Sequence, residues 1–230
     1  MKSIAENQVL LLAITFILYY GVLLLQKKYK SVFLNPVLLT VTVLISYLII
    51  FDISPSKYEE AGQYIDFWLK PSIVALGVPL YLQISKIKKQ IIPLVVSQFV
   101  GSLLGVLTVC LVAKWLGLAD DIAISLAPKS VTTPIAIEVT RMLHGIEPIT
   151  VMAVMTTGFL GNIFGISLLS WFHIKSPMAK GISLGTASHA LGIMAAFNLS
   201  EKYAVYASLG MIFNGIFTAL IAPTVVHLLF

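Results

Sequence analysis

The chain has 230 residues, of which 58% are hydrophobic and 11% charged, with a mean hydropathy of +0.96. A soluble domain carries roughly 25% charged residues, and so little polar surface cannot cover this much hydrocarbon in water. A water-soluble enzyme is excluded, and at roughly 20 residues per span the length allows about seven or eight membrane elements joined by short loops.

The formal charge of +5 does not indicate nucleic acid, because the Lys and Arg residues cluster at the ends of apolar runs, where they act as topology signals. Cys110 is the only cysteine, so no disulfide forms within the chain. The four histidines, His144, His173, His189 and His227, show no ligand spacing, and neither a metal nor a cofactor is expected.

In chain order, the first apolar run extends from Val9 to Leu25 and is closed by Lys27, Lys28 and Lys30. It lacks a small-residue cleavage site and reads as a retained helix with its amino end outside. The second begins at Asn35-Pro36, Pro being tolerated in a first helical turn, and extends to about Phe51. After a mixed loop with Pro55, Glu59, Glu60 and Asp66, a third run from about Phe67 to Ile84 contains Pro71 and Pro79 and ends at Lys86, Lys88 and Lys89, as a broken or kinked span. The fourth, Ile91 to Val112, carries Gly101 and Gly105 at a spacing that permits close helix approach. Positive clusters after the first and third runs put both ends on the cytoplasmic side.

Beyond Lys114 the pattern changes. Residues Asp120 to His144 are apolar at both ends and polar around Pro128-Lys129-Ser130-Val131-Thr132-Thr133-Pro134, and Gly181 to Asn198 behaves the same way around Gly185-Thr186-Ala187-Ser188-His189-Ala190-Leu191-Gly192. Long spans from Thr150 to Phe172 and from Tyr203 to Leu229 follow them. The two odd stretches align at a spacing of 58, Ser130 on Ser188 and Pro134 on Gly192, and the spans before them align at 60, Gly101 and Gly105 on Gly161 and Gly165. Interrupted segments in corresponding positions of two repeats point to a transporter's binding site. Each stretch either crosses the bilayer once or turns back as a hairpin; charge asymmetry slightly favours hairpins, which would also invert the repeats and bring two polar tips together. The expected fold is an all-α polytopic membrane protein with about six full spans plus two broken or re-entrant hairpin elements forming an inverted repeat. Residues 1–90 form N-terminal membrane helices, a scaffold or oligomer contact, and 91–230 a repeat-containing transport unit with broken elements near 120–144 and 181–198.

Of the 15 basic residues, Lys129 is the one inside a membrane element. An ammonium there costs about 2.5–3.5 kcal/mol on insertion scales, so it should face a polar cavity and have a partner, either an anion or one of Asp120, Asp121 and Glu138. Ser130, Thr132 and Thr133 supply hydroxyls, and a chain break between Pro128 and Pro134 frees the amides that open the next helical limb, which favours a small anion. The second tip offers Thr186, Ser188 and His189, with Gly185 and Gly192 as hinges. His189 suits proton exchange or a bond across to the first tip. Asn162, Asn214 and Glu138 read as interhelical glue. No GxSxG elbow accompanies the Ser188-His189 pair, and the chain is not expected to be an enzyme.

Leu126-Ala127-Pro128-Lys129-Ser130-Val131-Thr132-Thr133-Pro134-Ile135-Ala136 together with Gly185-Thr186-Ala187-Ser188-His189-Ala190-Leu191-Gly192 resembles the paired signature of the LrgB/CidB family, and Asn35-Pro36 and Pro79-Leu80-Tyr81 agree with it. The resemblance covers essentially the whole chain. It implies an antiholin-like regulator of murein hydrolase export and autolysis, in the bacterial cytoplasmic membrane, with a smaller membrane partner of the LrgA/CidA type. It also implies transport of small monocarboxylates such as pyruvate, glycolate, glycerate or lactate, since relatives in plastids carry such acids. The leading expectation is a secondary transporter of a small organic anion, oligomeric in the lipid bilayer; the alternative is a holin-like regulatory subunit.

Overall fold

The computed structural model describes residues 7–29, 36–68, 71, 74, 77–82, 88 and 90–230. The described residues form an all-helical, multi-pass membrane protein that divides by packing into two compact units, one up to Pro71 and the other beyond it.

The first unit holds α1 (Gln8–Tyr29), α2 (Pro36–Ile50) and α3 (Pro55–Asp66). At 1.5 Å per residue α1 reaches about 33 Å and can cross a ~30 Å hydrocarbon core. The helix α2 is apolar, but its 15 residues reach only about 22 Å. Leu11, Ile53 and Ala61 form the unit's small core, with Tyr58 packed against it and its hydroxyl 3.0 Å from Thr15 Oγ1.

The second unit contains α4 (Gly77–Leu82), α5 (Ile91–Trp115), α6 (Asp120–Leu126), α7 (Thr133–Met142), α8 (Glu147–Trp171), α9 (Pro177–Phe197) and α10 (Glu201–Leu229). Among the described residues four helices, α1, α5, α8 and α10, are long and apolar enough to cross a membrane, against about six full spans expected. The difference lies in the second run, whose helix is short, and the third, much of which falls outside the described residues. Lys30, Lys86 and Lys89, on which part of the topology reading rested, also lie outside them, as does Asn35.

Helices α5 and α10 run parallel, as bonds at their start, middle and end show: Tyr206 Oη donates to Gln90 Oε1 at 3.3 Å, Ser102 Oγ to Asn214 Oδ1 at 2.7 Å, and Lys114 Nζ to the Leu229 carbonyl at 2.6 Å. Helix α10 is the most enclosed of the four spans. Its buried residues include Ala204, Ala207, Gly210, Gly215, Thr218 and Ala222, a small-residue stripe at helical spacing that lets neighbouring backbones approach closely.

The segments α6 and α7 form one hairpin. Helix α6 starts shortly after α5 ends, and at its other end Ala127 packs with Val106 and Cys110 of α5 and with Val139 and Leu143 of α7. The chain then pushes inward to the middle of α10, where Asn214 bonds the Ser130 carbonyl, and α7 returns, so that Val139 and Leu143 lie with Val225 and Val226 near the end of α10. Both bases of this hairpin are therefore at the end of the unit where α5 and α10 finish. Ser125 fixes the next helix to it: its Oγ accepts from Ile146 N at 2.7 Å and its carbonyl accepts from Thr150 Oγ1 at 2.9 Å.

Helix α8 carries the chain to the opposite end, and α9 forms the second hairpin there. Ser176 caps α9, accepting from Ala179 N at 3.4 Å, and Pro177 lies in the first turn. The helical path is interrupted at His189, whose φ of 43° and ψ of −128° lie outside any helical region. The arm 177–188 runs along α10, and the arm 190–197 folds back on it. Gly192 lies against the Leu184 carbonyl, and Ala196 shares a cluster with Leu184 and Ala207. In an unbroken helix Leu184 and Gly192 would be about 12 Å apart along the axis. The reversal is therefore at His189, not at the expected hinges Gly185 and Gly192. Those glycines serve packing: a Cβ on Gly185 would collide with the Ala207 backbone, and one on Gly192 with the Leu184 carbonyl.

Candidate functional site

The two hairpin tips meet from opposite ends of the second unit at Asn214, midway along the 29 residues of α10. Its Nδ2 donates to the Ser130 carbonyl at 2.8 Å and to the Thr186 carbonyl at 3.1 Å, while Oδ1 accepts from Ser102 Oγ at 2.7 Å and Thr218 Oγ1 at 3.4 Å. These four partners use both donors and both acceptor positions of the amide. Asn214 is 1% exposed, so each of these bonds replaces one that water would otherwise supply. A further bond ties the second tip to α5, with Thr186 Oγ1 donating to Gln98 Oε1 at 2.9 Å.

The first tip breaks because Pro128 and Pro134 lack backbone donors, and Pro134, in the first turn of α7, cannot extend that helix back beyond Thr133; Thr132 before it is extended. The intervening chain is held by short-range bonds, Lys129 N to the Leu126 carbonyl at 3.1 Å and Val131 N to the Pro128 carbonyl at 3.2 Å. Pro128 is fully buried. Helix α7 opens with Ala136 N bonding the Thr132 carbonyl at 2.9 Å, which leaves the amides of Thr133 and Ile135 ahead of the first helical bond.

Beside the tips lies a cavity of about 410 Å³, lined by Gln98, Ser102, Lys129, Ser130, Thr186 and Asn214 together with Ser97, Ser183, Thr218 and small residues that include Gly101 and Gly105. Among the described residues Lys129 is its one charged lining residue. The Lys129 ammonium donates to Ser130 Oγ at 3.2 Å. Of the carboxylates that could have paired with it, Glu138 bonds Arg141 Nη1 at 3.0 Å and Asp121 Oδ1 accepts from Ile122 N at 2.8 Å. Arg141 also bridges to Glu147, fastening α7 to α8 at the surface.

Of the sequence-derived candidates, Lys129, Ser130 and Thr186 line this cavity. Ser188 lines a second, more apolar cavity on the α8 side of the tips, which Lys129 also borders. Thr132 and Thr133 sit at the start of α7 and line neither cavity; Thr132 Oγ1 is buried without a partner among the described residues. His189 is buried, its Nε2 lying 3.0 Å from the Val154 carbonyl of α8. Asn162, placed on α8, donates to the Leu191 carbonyl at 2.8 Å and so holds the returning arm of α9.

Gln98, Ser102 and Thr218 were not legible as site residues, and Asn214 read only as interhelical glue. A signal existed in the fourth run, where Gln98, Ser102 and Gly105 lie on one helical face of an otherwise apolar segment. Helix α10 gives no such warning: Asn214 is one polar residue in a long apolar run, and its importance comes from what the two tips present to it.

The described residues contain no group of three or more His, Cys, Asp or Glu that could hold a metal ion. What the arrangement offers is a cation, several hydroxyls and amides, and a polar chamber at mid-depth between two helical hairpins. No solved structure matches the chain. It is 34% identical over 221 residues, 96% of each chain, to the holin-like protein CidB of Staphylococcus aureus. It is 33% identical over 222 residues to the holin-like protein CidB of Staphylococcus epidermidis, covering 96% of this chain and 97% of that one. The uncharacterized protein YwbG of Bacillus subtilis is 33% identical over 212 residues, 92% of this chain and 94% of its own. The LrgB-like family matches residues 15–228, and with these full-length relatives the chain belongs to the LrgB-like family.

Proposed function

We propose that the protein is a secondary transporter of small monocarboxylates of the pyruvate, glycolate, glycerate or lactate type, in the bacterial cytoplasmic membrane, with the anion held between the two hairpin tips. The observation that carries this is Lys129: among the described residues the one charged group lining a polar cavity where both tips converge on Asn214, and bonded there to the Ser130 hydroxyl. A half-buried ammonium with no acidic partner among the described residues is stabilised by an arriving anion. Ser130, Thr186 and Gln98 surround the same space and suit the oxygens of a short acid.

The unit α5 plus the first hairpin and the unit α8 plus the second run in opposite senses, which supports an inverted repeat with Ser130 and Ser188 in matching places. On this reading residues 91–230 form the transport unit and residues 1–90 a scaffold or oligomer contact.

The second reading is a holin-like regulatory membrane subunit that controls murein hydrolase export and autolysis, with a small partner of the LrgA/CidA type. The names of the relatives favour it, and they favour it more than they favour carboxylate transport. Uptake of labelled pyruvate, glycolate or lactate into proteoliposomes separates the two. Saturable uptake that Lys129→Met abolishes, with the variant still inserted and monodisperse, supports the carrier. Dye leakage or partner-dependent conductance without saturable uptake of any short monocarboxylate, with or without the partner, rejects it.

A further inference from the structure

The cavity beside Ser188 has no part in the site described so far. It measures about 580 Å³ and is walled on α8 by Leu160, Phe164 and Leu168, with Leu184 opposite. Lys129 borders it too, and is the one charged residue among the described residues that does. Two cavities thus share a single cation, one lined by amides and hydroxyls and the other mostly by hydrocarbon. Ser188 adds a second polar observation. It is 1% exposed, and its hydroxyl has no partner among the described residues. Gly161 keeps that place open, since a Cβ there would overlap the Ser188 hydroxyl.

We infer that this second cavity is a binding site for an aliphatic monocarboxylate, with its carboxylate on Lys129 and its branched hydrocarbon body against Leu160, Phe164 and Leu184. The site rests on Lys129 acting as an anion anchor, as in the proposed transport function, but it lies in a separate cavity and takes a monocarboxylate with a larger apolar body. A carboxylate matches the positive charge of Lys129, and an apolar body packs against the leucine wall through dispersion contacts. Leu160, Phe164 and Leu168 are each half exposed, so the mouth opens along the apolar outer face of α8. A phospholipid does not fit the same description. The Lys129-Ser130 tip reaches the middle of α10, and a lipid headgroup does not descend to that depth, whereas the carboxylate of a short acid can. Because one ammonium serves both cavities, occupants of the two compete.

The test is saturable binding of tritiated 4-methylpentanoate to purified protein in detergent, with pyruvate as competitor. The expected result is binding that Lys129→Met abolishes, that pyruvate displaces, and that Leu160→Trp weakens by roughly tenfold or more by filling the cavity. Leu160 does not line the polar cavity, so pyruvate uptake by Leu160→Trp should stay near wild type. Leu160→Ala, which removes wall rather than filling space, should weaken binding by a few-fold and guards against a misfolded tryptophan variant. Binding that is absent, or indifferent to both Leu160 variants, overturns the second site even if pyruvate is transported. Binding indifferent to Lys129→Met also overturns it, as adsorption of the chain to the groove alone. If 4-methylpentanoate binds as expected and no short acid is transported, the carrier reading falls and the second site stands.

Discussion

Lys129 and Asn214 are opposite solutions to placing a polar group in hydrocarbon. The amide of Asn214 meets four partners and is fully satisfied. The ammonium of Lys129 has one hydroxyl at 3.2 Å and an open chamber. Their variants should therefore behave oppositely. Lys129→Met removes a charge that costs about 2.5–3.5 kcal/mol at the bilayer centre, so thermal unfolding in detergent should show equal or higher stability while uptake is lost. Asn214→Leu leaves the Ser130 and Thr186 carbonyls without their donor, at about 1–3 kcal/mol for each buried group left unsatisfied. It should lower the unfolding temperature and abolish uptake together. Asn214→Asp should be no better, since it keeps the acceptor oxygen but sets a carboxylate against two carbonyls.

The hairpins show how the same residue type serves different ends within an element. Gly185 lies against the backbone of Ala207, where no side chain can give way, and Gly185→Ala should force the first arm of α9 off α10, at about 1–3 kcal/mol or more for an overpacked contact. A Cβ on Gly105 would meet nothing within 4 Å, so Gly105→Ala should leave stability unchanged or raise it by about 0.5–1 kcal/mol through helix propensity. Urea or thermal unfolding of the two variants measures the contrast. That the chain reverses at His189 instead of at a glycine has a packing cause: the ring is seated on α8, its Nε2 at the Val154 carbonyl and its edge over Gly158, and this contact holds a backbone conformation that costs about 1–3 kcal/mol for a residue with a Cβ.

At the scale of the molecule, the hairpins predict sidedness. In a Cys110→Ala background, cysteines at Leu118 and Met142, the two bases of the first hairpin, should react with an impermeant maleimide from the same face of the membrane. Cysteines at Phe172 and Leu199, the two bases of the second, should react from the other face. Labelling of Leu118→Cys and Met142→Cys from opposite faces would mean that the first element crosses the bilayer, and the meeting of tips from opposite ends would be lost.

Composition alone determined that this is a helical membrane protein, because so little charge cannot solvate so much hydrocarbon, and the two polar interruptions marked where the helices break. The prolines around Lys129 specified the first break locally, since a missing amide hydrogen is a property of the residue itself. The second break was misplaced onto Gly185 and Gly192 because glycine permits a turn without requiring one. Whether a glycine turns or packs is decided by its neighbours, here Ala207 and Leu184. Nor could sequence rank Asn214 above any other asparagine in an apolar run. Two of its four bonds exist only because two hairpins, entering from opposite ends, bring residues 84 and 28 positions away to one amide. Local chemistry fixed which residues would be costly to bury, and only the tertiary structure decided which of them found partners and which, like Lys129, were left facing a cavity.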